Sequence, residues 1–401
     1  MQSPWKWLLA TTAAIAVFQL HTAAADLDIS LYGPYDYYVS SPLIPRPWAD
    51  QFETYFPNNN KILINISTGI CNLTLHDYHA AFRAPHGSRE ARQMLSICNR
   101  HEACIYGQLV PSITLNYQGA SIFLGLAPYI LSALGPTIAE LSLLSVHRPL
   151  LSLLISLGAP VSIPTRMFEF EDPRDIVNGK TGKLVVNRIS GRVAILISAI
   201  QYVLAVIAAT NVIATMVAVG RNTTLAWACT TQFAPLLWAV LALFVASVAM
   251  VGTLLIKRAC PPEDRQCNKT RSHPRHCTNI GHIQRLSALI LGKLGEIIRS
   301  ETTICANRND RAYCHSKEKH PKIPKVAVFL HILAGCMSFV LFLFGTAVFS
   351  ALQLVTFIDA FIRVIARLIA SSVICRLILI FELSGLRASK SRTERIRQPN
   401  S

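Results

Sequence analysis

Apolar positions along this chain gather into four long stretches, 120–144, 193–219, 233–256 and 326–349, separated by polar or basic connections. A helix that crosses the hydrocarbon layer needs about 20 consecutive apolar residues, and each stretch meets that length. The pattern predicts an all-α integral membrane protein. A further apolar region continues past the fourth stretch through Asp359, Arg363, Arg367 and Arg376 to Phe381. At about 1.5 Å per residue, Val326 to Phe381 is far longer than one crossing, so the chain must turn or lie along the surface. We read residues 364–385 as a fifth span in preference to a surface helix, because a fifth crossing puts the tail bases Arg387, Lys390, Arg392, Arg395 and Arg397 on the cytosolic side. Arg376 inside such a span costs about 2.5–3.5 kcal/mol unless Asp359, Glu382 or a neighbouring helix pairs with it.

Interruptions in the pattern refine the elements. Pro128 and Gly135-Pro136 fall inside the first stretch and predict a kinked helix. The apolar run Leu150–Ile163 is too short to cross, and packing on neighbouring helices or lying at the surface is preferred to re-entry. Residues 164–192 mix both charge signs around Gly179 and Gly182 and read as a polar cytosolic loop. In 257–325, Ile283, Leu286, Leu289, Ile290, Leu294, Ile297 and Ile298 recur at helical spacing and predict an amphipathic helix. Its apolar stripe suits either the inner leaflet or the protein's own helices.

Charge and targeting signals orient these elements. The chain has 401 residues, 52% hydrophobic and 15% charged, with a net charge of +16. Segment 26–118 is slightly acidic, whereas 257–325 carries fifteen Lys and Arg against six acids. Basic flanks stay cytosolic, and anionic lipids are the natural partners of 257–325. Because the basic residues lie beside apolar spans, no nucleic-acid partner is expected. Lys6, the apolar run Trp7–Phe18 and Ala23-Ala24-Ala25 fit a signal peptide cleaved after Ala25. An uncleaved anchor would place residue 26 onward on the same outer side.

The organisation that follows is a signal (1–25), a small exoplasmic module (26–118) and a three-helix membrane region (119–256) with a cytosolic loop at 145–192. A basic cytosolic loop (257–325), a C-terminal membrane region (326–386) and a basic tail (387–401) complete it. Asn65-Ile66-Ser67, Asn72-Leu73-Thr74 and Asn222-Thr223-Thr224 are glycosylation acceptors by pattern on the outer side. Cys71, Cys98, Cys104 and Cys229 form an even exoplasmic set that permits two disulfides in three pairings.

Candidate chemistry is sparse. Cys267, His273, His276 and Cys277 lack the paired spacing of structural zinc sites, so no metal is assigned. There is no G-x-S-x-G, H-E-x-x-H or P-loop, and His101-Glu102 lacks a second histidine. No catalytic residue or cofactor is assigned. Glu140 and Arg148 read as a structural ion pair that fixes the turn after the first span, and Asp359, Arg376 and Glu382 are further intramembrane pair candidates. Gln201 and Asn211 read as interhelical hydrogen-bonding groups, and His331 as a packing residue. Asp359, Arg363 and Arg367 share one helical face, read as a solvated or head-group-facing stripe.

The motifs Leu124-Gly125-Leu126-Ala127-Pro128, Ala139-Glu140-Leu141, Arg148-Pro149-Leu150-Leu151 and Leu157-Gly158-Ala159-Pro160 resemble a family of uncharacterised fungal multi-pass membrane proteins. Ile374-Cys375-Arg376, Phe381-Glu382-Leu383 and Gly385-Leu386-Arg387 are similar to that family's C-terminal part. The family often has a second Arg where this chain has His147. The resemblance covers the membrane region and implies architecture and kind of source; it transfers no activity or site. An interaction or sensing component of the secretory pathway or plasma membrane, with a protein partner, is the expected function. A channel or transporter and a membrane enzyme are the alternatives.

Overall fold

The computed structural model describes residues 51–84, 88–89, 93–161, 170, 189–227, 229, 232–259, 300–307 and 324–397. The signal-like start 1–25, most of the polar loop 164–192, the Cys- and His-rich stretch 260–277 and the amphipathic helix 283–299 lie outside them.

The chain first builds a helical cap. Helix α1 (Asn60–Asn65) runs through a π-helical turn (Ile66–Ile70) into α2 (Asn72–Arg83), and α3 (Met94–Gln108) packs against α2 and the π-helical turn. Their inward faces bury Phe52, Leu63, Tyr78, Cys98 and Ile105, with Tyr117 closing the core from the next helix. Pro111 starts that helix, α4 (Pro111–Gly125), where the missing N–H costs nothing.

Among the described residues, five helices are long and apolar enough to cross a membrane: Pro111–Leu134, Gly191–Asn222, Ala234–Lys257, Lys325–Ser350 and Phe357–Ser389. The protein is therefore an all-α multi-pass membrane protein, and the fifth apolar region forms a long helix. Its outer faces carry large apolar side chains where a soluble protein carries charge: Ile195 and Leu196, Phe244, Phe329 and Val340 are all exposed. These are the faces that lipid covers.

The first apolar stretch departs from the expected kinked span. Helix α4 breaks at Leu126, α5 (Ala127–Leu134) stops at Gly135, and Thr137 opens a new helix, α6 (Ile138–His147), through a capping box with Glu140. Pro136 has no N–H to continue the helix, so the chain ends one helix and starts another instead of bending. Helix α7 (Pro149–Gly158) then returns into the bundle. A Cβ on Gly158 would lie 2.6 Å from Cys375 Sγ and 3.1 Å from Ala208 Cβ, which sets the end of α7 beside the middle of the helix containing Ala208. The loop expected at 145–192 is thus partly bundle: Leu151, Ser152, Ile155 and Ser156 are buried. The run is apolar because neighbouring helices cover it, and not because it rests on a surface.

Helices α8 (Gly191–Asn222), α9 (Ala234–Ala259) and α10 (Lys325–Ser350) run alternately toward and away from the cap. Two-residue strands β1 (Thr224–Leu225) and β2 (Leu352–Gln353) pair antiparallel at the cap end, joining the connections that follow α8 and α10. A single turn (Phe357–Asp359) and a π-helical turn (Ala360–Ile365) lead into α11 (Ala366–Arg397).

Close approach of α9 and α10 depends on small residues. Trp238 is fully buried, donates from Nε1 to Leu341 O at 3.2 Å and meets Phe349 edge-on at 5.0 Å. A Cβ on Gly345 would sit 2.3 Å from Trp238 Nε1. We expect Gly345→Leu to displace the indole and cost about 1–3 kcal/mol, read as a lower thermal transition of the detergent-purified protein. An unchanged transition would show that the two helices do not pack this tightly.

Candidate functional site

Sulfur, amide and carboxylate groups join the cap to the bundle. Cys71 is bonded to Cys104 within the cap, and Cys98 to Cys229, which lies between α8 and α9. Gln51 spans the same seam, donating to Cys229 O at 3.1 Å and accepting from Tyr78 OH at 2.9 Å.

Two consecutive residues of α3 face this seam. His101 is fully buried between hydroxyls, with Nε2 3.0 Å from Ser67 Oγ and Nδ1 2.8 Å from Thr74 Oγ1. Thr74 already donates to Cys71 O, so it accepts from Nδ1–H, and Nε2 accepts from Ser67. Burial lowers the His101 pKa to about 4, which keeps the ring neutral in this clamp. Glu102 is 7% exposed, accepts from Thr224 Oγ1 at 2.8 Å through Oε1, and is pushed up to about 7 by burial. Its Oε2 has no hydrogen-bond partner among the described residues.

Glu102 lines a cavity of about 460 Å³ at the seam, with Asn99 and Tyr106 from α3, Tyr117 and Gln118 from α4, and Gln353 from β2. In the sequence Glu102 stands out only as the neighbour of His101, in a pair that lacks the second histidine of a metal motif. The signal available was an acid in a segment rich in buried aromatic residues, and only the fold brings β2 beside it.

The hydroxyl residues of all three glycosylation patterns hold this region together: Ser67 and Thr74 clamp His101, and Thr224 holds Glu102. Asn65 and Asn72 are exposed, and Asn222 is half-buried. Asn72→Gln and Thr74→Val both remove one acceptor pattern, but only Thr74→Val strips a buried partner from His101. We expect that substitution alone to destabilise the cap, by about 1–3 kcal/mol, in thermal unfolding of enzymatically deglycosylated samples. Equal losses would show that the Thr74 hydroxyl does not hold the cap through His101.

At the other end of the bundle the anticipated pairs are re-sorted. Glu140 does not meet Arg148; it accepts from Arg376 of α11, while Arg148 pairs with Glu382 at 2.8 Å with both side chains fully buried. Glu140 is held near the start of α6 by its capping role and Arg148 follows the end of that helix, so the seven residues between them keep the two charges apart. Arg148 also donates to Gln201 and Ser198 of α8, and its guanidinium lies 5.1 Å from the Tyr202 ring centroid.

Glu382 Oε2 accepts from Cys305 N at 3.0 Å, and Glu301 accepts from Leu150 N at 2.9 Å and from Tyr202 OH. Residues 300–307, expected in a loop, are therefore tucked into the bundle: Asn307 exchanges two hydrogen bonds with the Ile189 backbone.

The stripe on the last span is also corrected. Asp359 and Arg367 are 1% and 2% exposed, not solvated. Asp359 meets Arg363 at 3.4 Å, and Arg367 Nε donates to Asn211 Oδ1 at 2.9 Å. Asn211 donates in turn to Ser371 at 2.8 Å. Arg367 is covered by α8, whose Asn211 pairs with it across the helix contact, whereas Asp359 is held by Thr356 and Arg363 of its own segment. His331 is buried against Thr253, 3.0 Å from its hydroxyl.

These contacts allow binding and positioning. Among the described residues no group of three or more His, Cys, Asp or Glu is placed to hold a metal ion. Comparison with protein-family models, curated proteins and solved structures gives no match for this chain.

Proposed function

We propose that the chain is an interaction or sensing component of the secretory pathway or plasma membrane, with its cap on the exoplasmic side. The observation that carries this reading is the seam. One disulfide and hydrogen bonds from Gln51 and Thr224 tie the cap to the connection between α8 and α9, beside a cavity that contains an unmatched carboxylate. An event at the cap reaches the membrane helices through those bonds. Disulfides persist in oxidising compartments, which supports the outward cap. Ile70 and Leu73, at 67% and 78% exposure, offer a protein partner apolar contacts on the cap.

Two measurements test the reading. Glycosidase shift at Asn65 and Asn72 in sealed membranes should report an exoplasmic cap. Photocrosslinking from position 73 should give one dominant adduct with a membrane protein. A cap modified from the cytosolic side, or a diffuse ladder without a dominant adduct, rejects it.

A transporter is the second reading, favoured by α7 ending beside the middle of α8 as half-length helices do around midplane sites. Substrate flux in reconstituted vesicles that disappears with Glu140→Ala would support it.

A further inference from the structure

We propose that the seam cavity binds a substituted ammonium group, whose positive charge pairs with the open carboxylate oxygen of Glu102. The proposal rests on the sensing reading above and names the ligand class of that same site.

Charge makes the first selection. Among the described residues, Glu102 is the only ionised-type side chain lining the cavity, and no Lys, Arg or His lines it. An anion would meet a carboxylate without a compensating cation, so anionic ligands are excluded. A divalent metal ion requires several oxygen ligands with carboxylates among them, and a single Glu among amides and phenols falls short of that. A neutral polyol would satisfy the amides of Asn99, Gln118 and Gln353 but bring no charge that favours the ionised form of Glu102.

Shape and lining agree. About 460 Å³ lies within the range of small-molecule pockets. Tyr106 and Tyr117 line it with ring centroids 6.4 Å apart and edge-on, and aromatic walls around a carboxylate are the usual surroundings of a bound ammonium. Glu102 is more than nine-tenths buried, holds Thr224 with one oxygen and leaves the other open. The ligand comes either from solution, as a free amine, or from a lipid head group, because the cavity lies beside the first residues of α4, where the first span starts.

Proton linkage gives the test its sign. With its pKa raised to about 7, Glu102 is largely protonated at pH 6 and ionised at pH 8, and a cation binds the ionised form. Affinity should rise about tenfold between those pH values, with a proton released below pH 7. Among the described residues, the ionisable groups around Glu102 are Tyr106 on its own helix, Tyr117 on α4, Tyr55 before α1 and the adjacent His101. Thr224 and Gln353 face it from β1 and β2. Phenols stay neutral from pH 6 to 8 and His101 titrates near 4, so neither supplies this pH dependence.

The experiment is calorimetric titration of the full chain in phosphatidylglycerol nanodiscs with choline, and with glucose as the neutral control. A parallel arm compares nanodiscs with and without phosphatidylcholine. Saturable choline binding, about tenfold tighter at pH 8 than at pH 6 and lost in Glu102→Gln, is the expected result. Choline binding that phosphatidylcholine nanodiscs abolish identifies the lipid head group as the source, and binding unaffected by the lipid identifies a free amine.

Ala103→Trp, at an exposed position in the cavity wall, blocks the site without touching the carboxylate. It should also abolish binding, with an unchanged thermal transition in case Glu102→Gln unfolds. No saturable binding by choline or phosphatidylcholine, equal affinity at both pH values, or glucose binding as tightly overturns the proposal. Those outcomes leave the topology and crosslinking results intact, whereas a cytosolic cap removes the sensing reading itself.

Discussion

Arg148→Met should destabilise the protein by about 3–5 kcal/mol, because it leaves Glu382 charged and fully buried with its guanidinium partner gone. The loss spreads beyond one pair. Arg148 also occupies Gln201 and Ser198, Ser198 donates to the Glu301 carbonyl, and Glu382 fixes Cys305. One cation thus holds the start of α7, the first third of α8, residues 300–307 and α11 together. Arg148→Lys should recover only part of the stability, since one ammonium cannot reach the several acceptors that the planar fork serves. Arg148→Met with Glu382→Met removes both charges and should recover most of it. The check is the thermal transition in detergent, with a double-mutant cycle across the four proteins. Additive losses for the two single substitutions would mean that the charges do not interact.

Cys98→Ala with Cys229→Ala should cost about 2–5 kcal/mol by freeing a loop that the disulfide closes across 131 residues. The damage should be local. Cys71–Cys104 keeps α2 and α3 linked, so cap amides should exchange hydrogen faster while amides of α9 and α10 keep their protection. Hydrogen exchange by mass spectrometry distinguishes this from global unfolding. Uniform acceleration across α8 to α11 would show that the bundle depends on the cap for its fold. The same double variant should weaken the Glu102 contact with Thr224, because Cys229 anchors the segment that carries that hydroxyl.

Much of the membrane architecture is legible in the order of residues. A span must satisfy its own backbone hydrogen bonds, so its length and apolar content are local properties, and the long helices α8, α9, α10 and α11 follow the apolar stretches. The clustering of Cys71, Cys98, Cys104 and Cys229 on one face of the protein was also legible, through the parity of the spans. Their pairing was not, because three combinations satisfy the same spacing and only the cap's packing brings Cys98 to Cys229.

The errors of the sequence reading share one cause. Run length says how apolar a segment is and not which neighbour covers it, so the run that forms α7 fits a surface as well as a packed face, and Asp359 and Arg367 read as a solvated stripe although both are buried. Glu140 and Arg148 were joined because they are close along the chain. In the folded protein each takes a partner 236 or 234 residues away.

Hydropathy within single segments suffices to make this chain helical, to give it repeated stretches fit to cross a lipid layer, and to place most of them. Tertiary structure alone decided which charges pair, which hydroxyls clamp His101, and that Glu102 looks into a cavity. Each of those depends on groups from distant segments meeting within about 3 Å, and only the packing of one helix against another sets such distances.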